Sequence, residues 1–341
     1  MKLGIIGLEG AGKTTVFEAL TGSAGGAALR GEDRVGTVQV PDERVDVLSR
    51  MYNPMKTIYA RVEYFLPGRG GEKKSAENVW TPVRDCDALI HVIRNFDAYG
   101  LAPPKPAVAF ADLDAELVLA DLMVVEKRLE RLAMDRKRGK DVSGEEMVLL
   151  EQCRECLESD EPLRRRPELA RAPILRGFAF VSAKPMLVLF NNGDEDEGIP
   201  DAGDLVERER CRVIRGRIEQ ELAQMSEEEA REFLAEFEIA ASAADRVIRE
   251  SYALLGLISF FTVGEDEVRA WTIRRDTPAV EAAGVIHTDI QKGFIRAEIL
   301  AYEDLMGAGT YAEARKRGTV RLEGKTYEVR DGDIANFRFN V

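Results

Sequence analysis

Eight residues near the start of the chain constrain it more than any other feature: Gly7-Leu8-Glu9-Gly10-Ala11-Gly12-Lys13-Thr14 fits the pattern G-x-x-x-x-G-K-[ST]. The apolar run Leu3 to Ile6 before it predicts a strand, and Lys13 to Leu20 after it predicts a helix stopped by Gly22. Glycines in such a turn let backbone N–H groups converge on anionic oxygens, and the positive end of the following helix points the same way. Lys13 supplies a point charge for the β- and γ-phosphates, and Thr14 offers a hydroxyl to Mg²⁺, which prefers oxygen ligands. The pattern implies a nucleoside triphosphate site. Gly7, Glu9, Gly10, Ala11, Gly12, Lys13, Thr14 and Thr15 are its candidate nucleotide-binding residues, and Thr14 is the candidate metal ligand.

The remaining patterning is that of an α/β chain. Further strands are predicted around Val38, at Ile58 to Leu66, at Ala88 to Ile93 and at Met186 to Phe190, with helix-bearing connections between them, so the sheet is expected to be mostly parallel. Gly22 to Gly36 is rich in Gly and Ala and reads as a loop. From Asp112 the pattern changes. Val118, Leu122, Val125, Leu129 and Leu132 form one helical stripe, the basic turn Arg136 to Lys140 follows, and Ser143 with Glu146 has capping-box spacing for a second helix through Leu149, Leu150, Cys153 and Leu157. This predicts an antiparallel helical hairpin over 112–167, inserted into a nucleotide domain formed by 1–111 and 168–256. Arg208 to about Leu255 reads as helical. Residues 257–341 form a small α+β domain with strands at Ile258 to Val263, Val268 to Ile273, Ala297 to Tyr302, Thr319 to Val320 and Ile334 to Phe339. A short helix is expected near Tyr311 to Arg317 and a hairpin turn at Asp331-Gly332-Asp333.

Composition sets the outer limits. The chain of 341 residues is 45% hydrophobic, too apolar for intrinsic disorder, and no uncharged apolar run is long enough to span a membrane. The glycine loop arrives too early for a signal peptide, and four cysteines in this length make no disulfide scaffold, so a cytoplasmic protein is expected. A net charge of -13 disfavours indiscriminate nucleic-acid binding, although 257–341 is nearly neutral with 12 Lys/Arg against 14 Asp/Glu. Arg269, Arg274, Arg275, Lys292, Arg296 and Arg338, interleaved with Trp271 and Phe294, are a candidate basic face for RNA or a ribosomal surface, balanced by a reading as a mixed-charge sheet. The basic hairpin tip is a second candidate contact.

Cys153 and Cys156 read as buried helix cysteines, because no second pair accompanies them. His91 lies in an apolar strand and is expected to be a hydrogen-bonded core residue. His287 lies in a loop with no nucleophile beside it, which rejects a catalytic triad.

The C-terminal sequence carries a resemblance to a known family. It runs Leu257-Ile258-Ser259-Phe260-Phe261-Thr262-Val263-Gly264, then Glu267-Val268-Arg269-Ala270-Trp271-Thr272-Ile273-Arg274, then Ala282-Ala283-Gly284-Val285-Ile286-His287-Thr288-Asp289 and Lys292-Gly293-Phe294-Ile295-Arg296-Ala297-Glu298. It closes in Asp331-Gly332-Asp333 and Phe337-Arg338-Phe339-Asn340-Val341. With Val40-Pro41-Asp42, Cys86 through Arg94 and Val125 through Leu132, it resembles the YchF/Obg-like ATPases over nearly the whole chain. The resemblance implies a P-loop NTPase domain with an inserted helical coiled coil and a C-terminal TGS-type domain, binding ATP (or GTP) with Mg²⁺. It also implies association with the ribosome or translation and, for this chain, a monomer.

The departures from that family bear on chemistry. The family's switch II carries Asp-x-x-Gly, but no Asp occurs from Val47 through Arg84, and the corresponding stretch is Tyr64-Phe65-Leu66-Pro67-Gly68. Switch I normally offers a Thr to the metal, whereas between Thr21 and Thr37 only Ser23 has a hydroxyl. The base-reading Asn-x-x-Glu becomes Asn191-Asn192-Gly193-Asp194, giving Asn191 and Asp194 as further candidate nucleotide-binding residues, and Arg215-Gly216 stands where the family has a small loop near the base. Because phosphoryl transfer depends on positioning around Mg²⁺ and the γ-phosphate, these losses predict a protein that binds purine nucleotide, ATP favoured over GTP, and hydrolyses it weakly or not at all. A competent ATPase with unconventional metal ligands and a nucleotide-independent scaffold are the alternatives. A P-loop kinase fits worst.

Overall fold

The structure is a computed structural model and describes residues 1–22, 31–68, 80–236 and 242–340. Its strands in chain order are β1 (Lys2–Ile6), β2 (Arg34–Gln39), β3 (Lys56–Ile58), β4 (Arg61–Leu66), β5 (Ala88–Asn95) and β6 (Met186–Asn192). They continue as β7 (Arg210–Ile214), β8 (Leu257–Val263), β9 (Glu267–Arg274), β10 (Phe294–Ala301), β11 (Arg321–Glu323) and β12 (Asp333–Phe339). By compactness, Met1–Thr37 and Glu63–Val247 form one unit, and Val38–Val62 and Ile248–Val341 form another.

The first unit is built on the sheet β2-β4-β1-β5-β6-β7. β1 pairs in parallel with β4 and β5, β5 with β6, and β6 with β7. The central strands are buried along almost their whole length because helices cover both faces, which is why they read as continuous apolar runs. β7 is a correction to the helical reading of 208–255. Cys211-Arg212-Val213-Ile214 is flanked by Glu and Arg, strong helix formers, and only pairing with β6 makes it a strand. The helices Gly216–Leu222, Glu227–Glu236 and Ala243–Leu254 follow it. The loop read over 22–36 is interrupted by β2 from Arg34, and Ser23 lies outside the described residues.

The helical hairpin forms as the stripe predicts. Helix Pro106–Lys137 begins six residues before the expected boundary of 112, so that Phe110, Leu113 and Leu117 join the sheet core while its second half leaves the sheet. There Val118, Val125 and Leu132 bury against Leu150, Cys153, Cys156 and Leu157 of helix Gly144–Glu158, with Leu122 and Leu129 packed alongside. Ser143 Oγ caps the second helix by accepting from the Glu146 N–H at 3.2 Å. The Glu146 carboxylate instead crosses the hairpin to Arg128, at 2.7 and 3.0 Å. Asp121, fully buried, fixes the long helix by accepting from the N–H groups of Val181 and Ser182 and from Arg84. Burial pushes its carboxyl upward, against those donors. Cys153 and Cys156 are buried, their thiols pushed up by burial to about 12 and about 11.

The second unit carries the sheet β11-β10-β12-β8-β9-β3. The expected single strand over Ile58–Leu66 is thus two: β3 pairs in parallel with β9 in this sheet, and β4 pairs with β1 in the other. Helix Ala279–Ile286 lays Ala279, Ala282 and Ala283 on Phe260, Ile299 and Phe337, small residues allowing close approach. The Asp331-Gly332-Asp333 turn does not close a hairpin, since β10 lies between β11 and β12. Asp331 instead accepts from the Ser259 N–H at 2.9 Å and from Arg44 at 2.9 Å. The last short strand is Arg321–Glu323 rather than Thr319–Val320. The six basic residues expected to share a face do not: Arg269 and Arg274, an odd number apart on β9, lie on opposite faces, and Phe294 is core. Arg269 stacks on Trp271, at 3.8 Å from the ring centroid.

Candidate functional site

The site begins where β1 ends. Gly7, Gly10 and Gly12 have φ of 152°, 77° and 87°, a backbone that turns repeatedly through the left-handed region. At two of them space is decisive. A Cβ on Gly7 would lie 2.4 Å from the Val92 carbonyl oxygen, and one on Gly12 would lie 2.3 Å from Asn191 Nδ2. Helix Lys13–Thr21 follows with no side-chain cap and no acid in its first turn, so its leading N–H groups and the helix dipole face the loop. Lys13 Nζ donates to the carbonyls of Gly7 (2.6 Å) and Leu8 (2.8 Å), folding the ammonium over the loop. Glu9, Gly10 and Thr14 are exposed, Thr15 is half-buried and Ala11 is buried. Backbone donors, a cation and an uncapped helix start fit a polyphosphate.

The far wall is built by β6. Asn191 is 4% exposed. Its Nδ2 donates to the Ala11 carbonyl at 3.1 Å and its Oδ1 accepts from the Gly216 N–H at 3.0 Å. A Cβ on Gly216 would lie 2.6 Å from Oδ1. Asn191 therefore joins the glycine loop to the turn after β7, and both of its amide atoms are engaged with the backbone. Asn192, pointing the other way, donates to the carbonyls of Asp196 and Gly198 and accepts from Asn95, ordering the loop after β6. Asp194 is exposed, with its backbone carbonyl accepting from Arg215 and its carboxylate 3.8 Å from Arg217. Sequence reasoning noted Arg215-Gly216 but missed that Gly216 is what Asn191 holds, because the two sit 25 positions apart.

The metal side is sparser. The one carboxylate of β4, Glu63, lies near its start beside Lys2, and the described exit of the strand, Phe65 to Gly68, carries none. Among the described residues no group of three or more His, Cys, Asp or Glu is arranged to hold a metal.

His91 corrects the expectation of a hydrogen-bonded core histidine. It is fully buried in β5 and stacked on Phe110 at 5.5 Å, and neither ring nitrogen has a hydrogen-bond partner among the described residues. Burial, with Arg164 and Lys13 nearby, lowers its pKa to about 3. His287 is a local cap whose Nδ1 accepts from the Asp289 N–H.

A mostly parallel sheet flanked by helices, with this cradle at the end of its first strand, is an α/β P-loop NTPase fold. Residues 257–340 match the family YchF-GTPase_C, described as a protein of unknown function (DUF933). The chain is 35% identical over 361 residues to the ribosome-binding ATPase YchF of Bacillus subtilis (strain 168), covering 99% of each. It is 34% identical over 360 residues to the ribosome-binding ATPase YchF of Escherichia coli O157:H7, covering 100% of this chain and 99% of that relative. The solved structure of the Schizosaccharomyces pombe YchF GTPase aligns with a TM-score of 0.82 at 31% identity, over 99% of this chain and 97% of that one. The chain belongs to the YchF family.

Proposed function

We propose that this chain binds a purine nucleoside triphosphate with Mg²⁺, ATP in preference to GTP, hydrolyses it weakly or not at all, and acts in association with the ribosome. The observation that carries the reading is the pairing of a complete glycine cradle and Lys13 with an exit from β4 that reads Phe65-Leu66-Pro67-Gly68. Gly7, Gly10 and Gly12 shape the loop, Lys13 turns from the loop carbonyls to the phosphates, and Thr14 and Thr15 bring hydroxyls to the helix start. Mg²⁺, held through Thr14, would neutralise charge on the β- and γ-phosphates. With no Asp from Val47 through Arg84 to orient that metal, transition-state stabilisation falls by about 3 kcal/mol, by analogy with loss of one preorganised charge contact.

The ribosomal reading is supported by the names of the bacterial relatives and by the basic tip Arg136 to Lys140, which is exposed throughout. The C-terminal unit is proposed as the TGS-type domain and a second contact. Among the described residues no helix is long and apolar enough to cross a membrane. A cytoplasmic monomer is proposed as the working form.

Calorimetric titration of ATP and GTP, with and without Mg²⁺, tests the binding half. Mg²⁺-dependent ATP binding that weakens about 100-fold, ~2.7 kcal/mol, in Lys13→Ala is the expected result. Single-turnover hydrolysis about 100-fold slower than that of the Bacillus relative tests the other half. An equal rate, abolished in Lys13→Ala, would instead establish a competent ATPase, and no binding of either nucleotide a scaffold.

A further inference from the structure

The segment before β2 is fastened from two sides. Asp33 Oδ1 accepts the Gly68 N–H at 2.7 Å. The two backbones are in close contact there, since a Cβ on Gly68 would lie 2.1 Å from the Gly31 carbonyl oxygen. On the other side, Arg34 forms an ion pair with Glu18 of the helix that follows the glycine loop, at 2.8 Å, and lies over the Phe17 ring at 4.8 Å. Gly36 packs so closely on Thr21 of the same helix that a Cβ would lie 2.4 Å from its methyl carbon. Residues 31–36 are thus tied both to the exit of β4 and to the helix beneath the cradle.

The position of Gly68 gives the contact its meaning. β1 and β4 run parallel with Gly4 opposite Phe65, and both strands end within two residues of that register's continuation, so β4 leaves the sheet at Gly68 on the same edge where β1 gives way to the cradle at Gly7. In P-loop switch proteins the γ-phosphate and its metal order the two segments flanking this edge and release them on hydrolysis. Here the N–H after β4 already has an anionic acceptor, and that acceptor belongs to the other segment.

We propose that the Asp33 carboxylate replaces the γ-phosphate as the tie between residues 31–36 and the exit of β4 at Gly68, so that the Asp33–Gly68 contact is the same with nucleoside triphosphate, with diphosphate and with none. Asp33 is a positioning residue, and the inference rests on the nucleotide-binding reading above. A ligand shifts a conformational equilibrium only by its differential affinity for the two states. With the tie made internally, the third phosphate gains little from the segments, and ATP and ADP bind with affinities within about threefold of each other.

Hydrogen exchange at the Gly68 amide, with calorimetry of Mg·ATP and Mg·ADP, tests this on the full chain. The expected result is equal Gly68 protection in the nucleotide-free, ADP and ATP states, exchange about tenfold faster in Asp33→Ala, and recovery in Asp33→Asn, whose side-chain oxygen is still an acceptor. Asp33→Ala should also make Gly68 protection depend on ATP. Gly68 protection that rises with ATP but not ADP in the wild type, or is unchanged in Asp33→Ala, overturns the tie while leaving nucleotide binding intact. Absence of binding by either nucleotide overturns both.

Discussion

At the scale of single residues, the site is held together by side chains whose polar atoms are spent on the protein itself. Asn191 is the clearest. Replacing it with Leu leaves the Ala11 carbonyl and the Gly216 N–H without their partner in a buried wall. Each orphaned group costs about 1–3 kcal/mol, so Asn191→Leu should lower stability by ~2–4 kcal/mol in denaturant titration and weaken ATP binding in parallel. A variant that unfolds normally yet loses ATP would show that Asn191 touches the base directly. His91 sets a pH dependence. Its folded pKa of about 3 lies below the ordinary value of 6.5, so the unfolded chain takes up the proton first. Its contribution is complete above about pH 6.5 and is lost as pH falls towards 3, at up to ~1.4 kcal/mol per pH unit. Urea unfolding at pH 7 and 5 should show the loss in the wild type and a smaller one in His91→Phe, which keeps the stacking on Phe110. Composition and strand pattern placed His91 in the core, but only the packing reveals that none of the described residues hydrogen-bonds its ring.

At the scale of elements, local signals and tertiary context divide the outcome. The helical hairpin was legible because a stripe of apolar residues over four turns has few alternative explanations, and because Ser143 announces the second helix. Ser143→Ala should destabilise the hairpin by ~1 kcal/mol, read as earlier loss of exchange protection in 144–158 than in the sheet. Equal loss in both would mean that hairpin and sheet unfold as one. The burial of Cys153 and Cys156 makes a companion expectation. With thiols raised to about 12 and about 11, both should resist alkylation in the native protein and react only on unfolding. β7 and β11 were misplaced because a strand of three to five residues owes its state to its neighbour rather than to its own propensity. The Asp331-Gly332-Asp333 turn misled for a related reason. The chain reverses there, with Gly332 at φ 89°, but to enter β12 between β8 and β10 rather than to close a hairpin.

At the scale of the whole molecule, charge is the property that sequence composition reports directly. A chain of net charge -13 must offer any polyanionic partner a local basic surface. Reversing Arg136, Lys137, Arg138 and Lys140 to Glu should reduce co-sedimentation with ribosomes at least tenfold at low salt, with the unfolding midpoint unchanged. Undiminished binding would move the contact to the C-terminal unit. The glycine cradle, the α/β class, the hairpin and the lack of any Asp from Val47 through Arg84 were all legible in the sequence, because each rests on residues adjacent in the chain or in register along one element. The tertiary structure alone decided that Asn191 grips Gly216, that Asp33 holds Gly68 and that β3 joins β9. Those contacts join residues from 25 to more than 200 positions apart, and no local propensity encodes which distant backbone group a polar side chain will meet.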